Sequence, residues 1–109
     1  MASGLRKKIS APTPVTRMVE DVVGCKWSMT VLALIAAGVV RPGAMQRHVE
    51  GLTAKVLNER LRKLMRYGVI ERKVFAEVPP RVEYRLTEFG RRFNAVIEQI
   101  AALESERNG

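Results

Sequence analysis

The segment TAKVLNERLRKLMRYG, which begins at Thr53, carries the strongest helical pattern of the chain and is followed directly by two strand-like segments. Leu57, Leu61 and Leu64 recur within it at helical spacing and form an apolar stripe. The Thr53 hydroxyl can accept a hydrogen bond from a free amide of the first turn, and Gly68 supplies a C-terminal stop. The chain must therefore bury one face of this helix and leave long polar side chains on the other sides.

Three further helices are predicted upstream of this segment. Apolar residues at spacings of three and four from Val15 give a short amphipathic helix that ends at Gly24. Residues 26–37 are apolar on nearly every side, which is typical of a central helix packed on several neighbours. A short third helix begins at Pro42 and ends at Gly51. This helix, its tight turn and the segment that follows have the pattern of a helix-turn-helix, although many helical bundles contain such a pair.

The two strand-like segments predict a β-hairpin. They run from Val69 to Phe75 and from Val82 to Leu86, and they flank a loop that contains two prolines. Along the second segment apolar residues alternate with Glu83 and Arg85, so we expect one packed face and one solvent-exposed face. A hairpin directly after a helix-turn-helix is a wing, although it can also serve only to close the core.

The last predicted helix spans residues 88–105 and is capped by Thr87. Its apolar residues recur at alternating steps of four and three, as in a coiled-coil seam: Phe89, Phe93, Val96, Ile100 and Leu103. We expect this helix to form a homodimer together with the first helix, although packing within one chain would give a similar pattern. The predicted dimer-interface residues are Val15, Met18, Val22, Phe93, Val96, Ile100 and Leu103.

A chain of 109 residues has the size of a single domain, which we place at residues 15–105. Residues 1–14 contain a basic run and two prolines without apolar periodicity, and are expected to form a flexible basic arm. The longest apolar run, residues 29–40, is shorter than the roughly 20 residues of a membrane span. Since no secretory signal is evident either, we expect a cytoplasmic protein with no membrane partner.

Charge provides the first indication of a partner. Nineteen Lys and Arg against eleven Asp and Glu give a net charge of +8, and residues 41–92 alone carry thirteen basic and six acidic residues. A polyanion is therefore a plausible partner, although a basic surface can also be inert. One cysteine and one histidine give no metal site of recognisable spacing, and no cofactor is expected. An enzyme is not expected, because the chain has neither a nucleophile with its base nor a glycine-rich phosphate loop.

Three stretches of the chain resemble the HxlR-type winged helix-turn-helix regulators: GCKWSMTVLALI, LTAKVLNERLRKLMRYGVIER and VFAEVPPRVEYRLTEFG. The last is the most specific, because its double proline, Glu83, Tyr84 and the run from Thr87 to Gly90 match the family's wing and the start of its final helix. The resemblance implies a mainly α fold with a small β-hairpin, dimeric through the terminal helices. It also implies sequence-specific binding of double-stranded DNA, with repression or activation varying between members.

Roles can be assigned to the polar residues by geometry. With a recognition helix at residues 53–67 in the major groove, Thr53 caps the helix and can touch a phosphate. The residues best placed for base edges are Lys55, Asn58, Glu59 and Arg62. With a wing at residues 69–86 on the backbone or minor groove, the expected phosphate contacts are Lys63, Arg66, Lys73, Arg81 and Arg85. Lys63 and Arg66 can alternatively be only solvated residues of the helix surface.

The chain departs from the family where some members sense oxidants or electrophiles. Those members carry a Cys before a Pro at the start of the first helix, whereas this chain has Thr13 and Pro14. Its only thiol, Cys25, lies at a helix N-terminus beside Lys26, where a lowered pKa would favour a reactive thiolate. Redox sensing by Cys25 is therefore a hypothesis, and a small residue tolerated at a helix start is the alternative.

The main alternative function is a winged-helix adaptor that binds other proteins without reading DNA. A homodimer that binds DNA would favour a palindromic operator, because it presents two recognition helices to successive major grooves. No convergent set of polar residues identifies a small-molecule effector, so an effector stays unknown.

Overall fold

The structure is a computed structural model, and it describes residues 13–109. These residues form five helices and one two-stranded antiparallel hairpin, in the predicted order. The elements are α1 (Val15–Val23), α2 (Lys26–Ala36), α3 (Pro42–His48), α4 (Ala54–Arg66), β1 (Ile70–Phe75), β2 (Arg81–Leu86) and α5 (Glu88–Asn108). The predicted fold class, mainly α with a small hairpin, is confirmed. The predicted flexible arm lies outside the described residues apart from positions 13 and 14.

The core forms where α4 packs on α2 and α3 carries one side chain into the same cluster. The predicted stripe of α4 is confirmed, since Leu57, Leu61 and Leu64 are each at most 1% exposed. Leu32 of α2 and Met45 of α3 are fully buried against them. Burial of several aliphatic side chains, each contributing about 1.5–3 kcal/mol, fixes which face of α4 points inward.

The hairpin is tied to the helices by its second strand. The Tyr84 amide donates to the Val40 carbonyl at 2.9 Å, so the residues before α3 pair with the edge of β2. Tyr84 itself is 7% exposed, as expected for the packed face. The prediction of a solvent-exposed face is wrong for Glu83, which is also only 7% exposed. Three arginines each place a guanidinium nitrogen within 4.0 Å of its carboxylate.

Backbone contacts fix the start of α5 on the end of α4. The Thr87 hydroxyl accepts from the Gly90 amide at 2.8 Å, which confirms its capping role, and donates to the Gly68 carbonyl at 2.6 Å. The Thr87 amide donates to the Val69 carbonyl at 3.0 Å. The helix then runs to Asn108, three residues beyond its predicted end, because no proline or glycine interrupts it before Gly109.

Gly90 allows this close approach, and replacing it provides a test of the fold. A Cβ atom at position 90 would lie 1.8 Å from the Val69 carbonyl oxygen, a backbone atom that cannot rotate away. We expect Gly90→Ala to lower the free energy of unfolding by about 3 kcal/mol in urea titration, as overpacked sites do. The control is Gly43→Ala, whose Cβ would meet only the flexible end of Arg47 at 3.4 Å and should change stability by less than about 1 kcal/mol. Equal stability of the two variants would contradict this account.

Candidate nucleic-acid interface

The exposed face of α4 lies opposite its buried leucine stripe and is lined with long polar side chains. Four of them recur at steps of four, three and four, and all are exposed: Lys55, Glu59, Arg62 and Arg66. Asn58 is exposed on the flank of this row. At the start of the helix, the Thr53 hydroxyl accepts from the Val56 amide at 3.2 Å, so the predicted cap is present. The structure thus brings six of the predicted DNA-binding residues together on one surface.

Lys63 lies on a different side of α4 and contacts α1. Its Nζ donates to Oδ1 of Asp21 at 3.1 Å, and the Tyr67 hydroxyl donates to Oδ2 of the same carboxylate at 2.5 Å. The Tyr67 hydrogen bond, together with Lys63, holds the pKa of Asp21 below its ordinary value despite partial burial. The same carboxylate raises the pKa of Tyr67. Lys63 therefore joins α4 to α1, a contact that the sequence analysis missed because the partners lie 42 residues apart.

Cys25 precedes α2 directly and lies close to Arg60 of α4. Two buried polar atoms near it, Ser28 Oγ and Arg60 Nε, have no hydrogen-bond partner among the described residues. Burial raises the pKa of the Cys25 thiol, but interactions with Ser28 and Arg60 outweigh this effect, so the pKa lies below its ordinary value. Lys26, the cation predicted to act on the thiol, instead places its Nζ 5.2 Å from the Trp27 ring centre. The lowered pKa was correctly predicted, but its cause is different.

The basic residues of the hairpin are held in different ways. Lys73 is exposed on β1. Arg81 stacks over the Phe75 ring at 4.0 Å, and its Nη2 lies 3.3 Å from Oε2 of Glu77. Arg85 donates through Nη2 to Oε1 of Glu83 at 2.5 Å. Two of the three predicted wing cations are thus already paired with carboxylates of the same strand or the loop before it.

Arg41 also approaches Glu83, although sequence reasoning gave neither residue a role. Arg41 directly precedes α3, and its Nε lies 4.0 Å from Oε2 of Glu83. Hydrogen bonding from Arg85, together with the charges of Arg81 and Arg41, holds the pKa of Glu83 below its ordinary value. The alternation of β2 gave no sign of this cluster, because a charged residue at an outward position is normally solvated.

The predicted dimer residues divide between the core and the surface. Met18, Val22 and Phe93 are buried within the same chain, at 8%, 0% and 2% exposure. A row of apolar residues stays exposed along α5 at seven-residue spacing: Phe89, Val96 and Leu103. Val15 of α1 is half exposed and lines a shallow apolar groove with Phe89 and Val96. Ile100 is partly buried.

A second apolar groove, of about 210 Å³, lies between α2 and α5. Its lining includes Met29, Ile97 and the largely buried side chain of Asn94. Within residues 13–109, no three His, Cys, Asp or Glu side chains lie close enough to hold a metal ion. No helix in this part of the chain is long and apolar enough to cross a membrane.

Comparison with known proteins gives consistent matches. A family model described as HxlR-like helix-turn-helix matches residues 22–108. The chain is 37% identical over 82 residues to the uncharacterized HTH-type transcriptional regulator YtcD of Bacillus subtilis, which covers 75% of this chain and 65% of that protein. It is 40% identical over 88 residues to the uncharacterized HTH-type transcriptional regulator sll1512 of Synechocystis, covering 81% of this chain and 65% of that protein. The chain therefore spans just under two thirds of the length of these two relatives.

Among solved structures, the fold is similar to that of the redox regulator HypR in its oxidized form. The TM-score is 0.72 at 32% identity, and the match covers 84% of this chain and 94% of that one.

Proposed function

Because the chain belongs to the HxlR-like helix-turn-helix family, we propose that it is a transcriptional regulator that binds double-stranded DNA sequence-specifically as a homodimer. The observation that carries the proposal is the row of exposed polar side chains on α4, opposite its buried stripe. This helix is the second of a helix-turn-helix, the position that enters the major groove in such motifs. The family membership and the names of the relatives support the same function.

Contacts with base edges fall to the exposed residues in the first three turns of α4. Lys55 and Arg62 suit guanine, Asn58 suits adenine, and Glu59 can accept from cytosine. Arg66, Lys73, Arg81 and Arg85 are assigned to phosphates, with Thr53 at the start of the helix. Lys63 is left out of this set because Asp21 holds its ammonium group against α1, on a different side of α4 from the exposed row.

The proposed dimer uses the exposed apolar row of α5 together with the start of α1. Its interface residues are Val15, Phe89, Val96, Ile100 and Leu103. Three of these large apolar side chains are between 37% and 50% exposed in the single chain, and Leu103 is 64% exposed. A partner that covers them would remove apolar surface from water. Symmetric pairing would favour a palindromic operator, because each half-site would receive one recognition helix.

We further propose that modification of Cys25 changes DNA affinity. Its thiol lies beside Ser28 of α2 and Arg60 of α4, so an adduct on the sulfur would press against the recognition helix. The similarity to a structure named as a redox regulator supports this proposal. Repression or activation, and any small effector, are left unassigned.

Substitutions on the exposed face of α4 test the base contacts. A preferred duplex is first selected from a random library, and affinities for it and for a scrambled duplex are measured by fluorescence anisotropy. We expect Asn58→Ala and Arg62→Ala each to lose about 1–3 kcal/mol of binding free energy on the preferred duplex and much less on the scrambled duplex. The control, Arg107→Ala, removes a cation at the far end of α5 and should lower both affinities slightly and equally.

Equal losses of Asn58→Ala and Arg62→Ala on both duplexes would contradict the base-reading roles. If the wild-type protein shows no sequence preference in the selection, a protein-binding adaptor becomes the better description.

A charge placed in the exposed row of α5 tests the dimer. We expect Val96→Asp to shift the protein to monomers in analytical ultracentrifugation, because a carboxylate would be buried without a partner in the interface. The control is Ala95→Asp, which adds the same charge at the neighbouring exposed position, away from the row. A dimeric Val96→Asp protein, or a monomeric wild type, would place the interface elsewhere or exclude it.

Thiol chemistry tests the role of Cys25. Since the pKa of the thiol is lowered, its thiolate persists to lower pH than that of free cysteine, and iodoacetamide should alkylate it at correspondingly lower pH. Alkylation should then weaken binding to the preferred duplex, whereas Cys25→Ser protein should bind equally before and after treatment. Unchanged binding by fully alkylated wild-type protein would refute the regulatory role.

A further inference from the structure

We propose that Glu83 is a positioning residue that gathers Arg41, Arg81 and Arg85 into one binding site for a single DNA phosphate. This inference rests on the proposed DNA-binding function and adds to it two residues, Glu83 and Arg41, that sequence reasoning left without a role. The site joins the second strand of the wing to the start of the first helix of the helix-turn-helix.

The position of Glu83 is fixed by its backbone and by its burial. The next residue, Tyr84, donates from its amide to the Val40 carbonyl at 2.9 Å, which places Glu83 beside the residue that precedes α3. The Glu83 side chain is 9% exposed, so most of it is shielded from water. A carboxylate shielded in this way needs cations and hydrogen-bond donors to compensate its charge. The three arginines supply this compensation.

Each guanidinium approaches the carboxylate differently. Arg85 donates through Nη2 to Oε1 at 2.5 Å, whereas Arg81 Nε lies 3.4 Å and Arg41 Nε 4.0 Å from Oε2. The Arg81 guanidinium also lies over the Phe75 ring, with its central carbon 4.0 Å from the ring centre. Two contacts come from the wing and one comes from the residue before α3, so a single carboxylate holds cations of two DNA-binding elements at one point.

The arginines of this cluster retain charge and hydrogen-bond donors with which they can bind an anion. Three guanidiniums face one buried carboxylate and the exposed Glu77, so a positive charge remains. A guanidinium has five N–H donors, and the Arg41 and Arg85 side chains are 53% and 51% exposed, which leaves donors accessible from solvent. Such a fork of donors matches the geometry of a phosphate.

The location identifies the phosphate as one of the DNA backbone. In a helix-turn-helix complex the first helix crosses the backbone, and a wing lies beside it on the same duplex. Arg41 directly precedes that first helix, and Arg81 and Arg85 belong to the wing strand. A phosphate between these elements would fix the angle of the wing relative to α4 and so the register of the base contacts.

Whether one substitution strengthens or weakens DNA binding distinguishes this positioning role from simple competition between Glu83 and DNA for the arginines. If Glu83 only competed with DNA for the arginines, removing its charge would strengthen binding. If it positions them, Glu83→Gln should weaken binding about tenfold on the preferred duplex, because the amide nitrogen cannot accept a hydrogen bond from any of the guanidiniums. Glu77→Gln is the matched control, since it removes the same charge from the same Arg81 at an exposed site. It should bind as tightly as the wild type or slightly tighter.

Methylphosphonate scanning of the preferred duplex locates the contact. Replacing one phosphate per half-site by a neutral methylphosphonate should weaken DNA binding by the wild-type protein and by Glu77→Gln. It should not further weaken DNA binding by Glu83→Gln. If Glu83→Gln does not fold, Arg41→Ala serves instead, because this half-exposed side chain can be removed without opening the core. Arg41→Ala and Arg85→Ala should both lose sensitivity to that same phosphate.

Two results would overturn the inference: Glu83→Gln protein that is folded and binds like Glu77→Gln, or arginine variants whose sensitivity changes at different phosphates. Failure of the proposed function is distinguishable from both, because the wild-type protein would then not prefer the selected duplex at all.

Discussion

The burial of Leu57, Leu61 and Leu64 against α2 is the interaction on which the rest of the structure depends. A helix with one face packed in the core cannot rotate about its axis. The direction in which each of its other side chains points is therefore fixed. Lys55 and Arg62 must then point to solvent, while Lys63 must meet α1. The packing of the leucine stripe does not itself involve a nucleic acid. It nevertheless determines which polar side chains of α4 are exposed and so available to bind one.

The hairpin depends on a second constraint, the close contact of α5 with the end of α4. Thr87 bonds to the backbone of both Gly68 and Gly90, and only a glycine at position 90 lets the two backbones approach. The start of β1 and the end of β2 therefore join the helices at nearly the same place. A short hairpin anchored at its root and at Val40 can project from the domain without a core of its own.

Most of the fold was predictable from the sequence because its signals are local. Threonine caps, glycine ends and the period of the apolar residues place the helices and strands to within a few residues. Pairs distant in the chain were not predictable, since no local pattern links Asp21 to Lys63 or Arg41 to Glu83. The apolar repeat of α5 also predicted the dimer-interface residues only in part. Such a repeat does not show whether each residue is covered by the chain's own core or by a second copy.

Helix α1 carries two contacts that belong to different parts of the molecule. Val15, at its start, lies exposed beside α5, and Asp21, six residues later, holds Lys63 and Tyr67 at the end of α4. Six helical residues span only about 9 Å, over which a helix behaves as a rigid rod. In the proposed dimer, a tilt imposed at the start of α1 would therefore reach the Asp21 contact with α4, so this helix would connect the packing of the two subunits to the orientation of the proposed recognition helix.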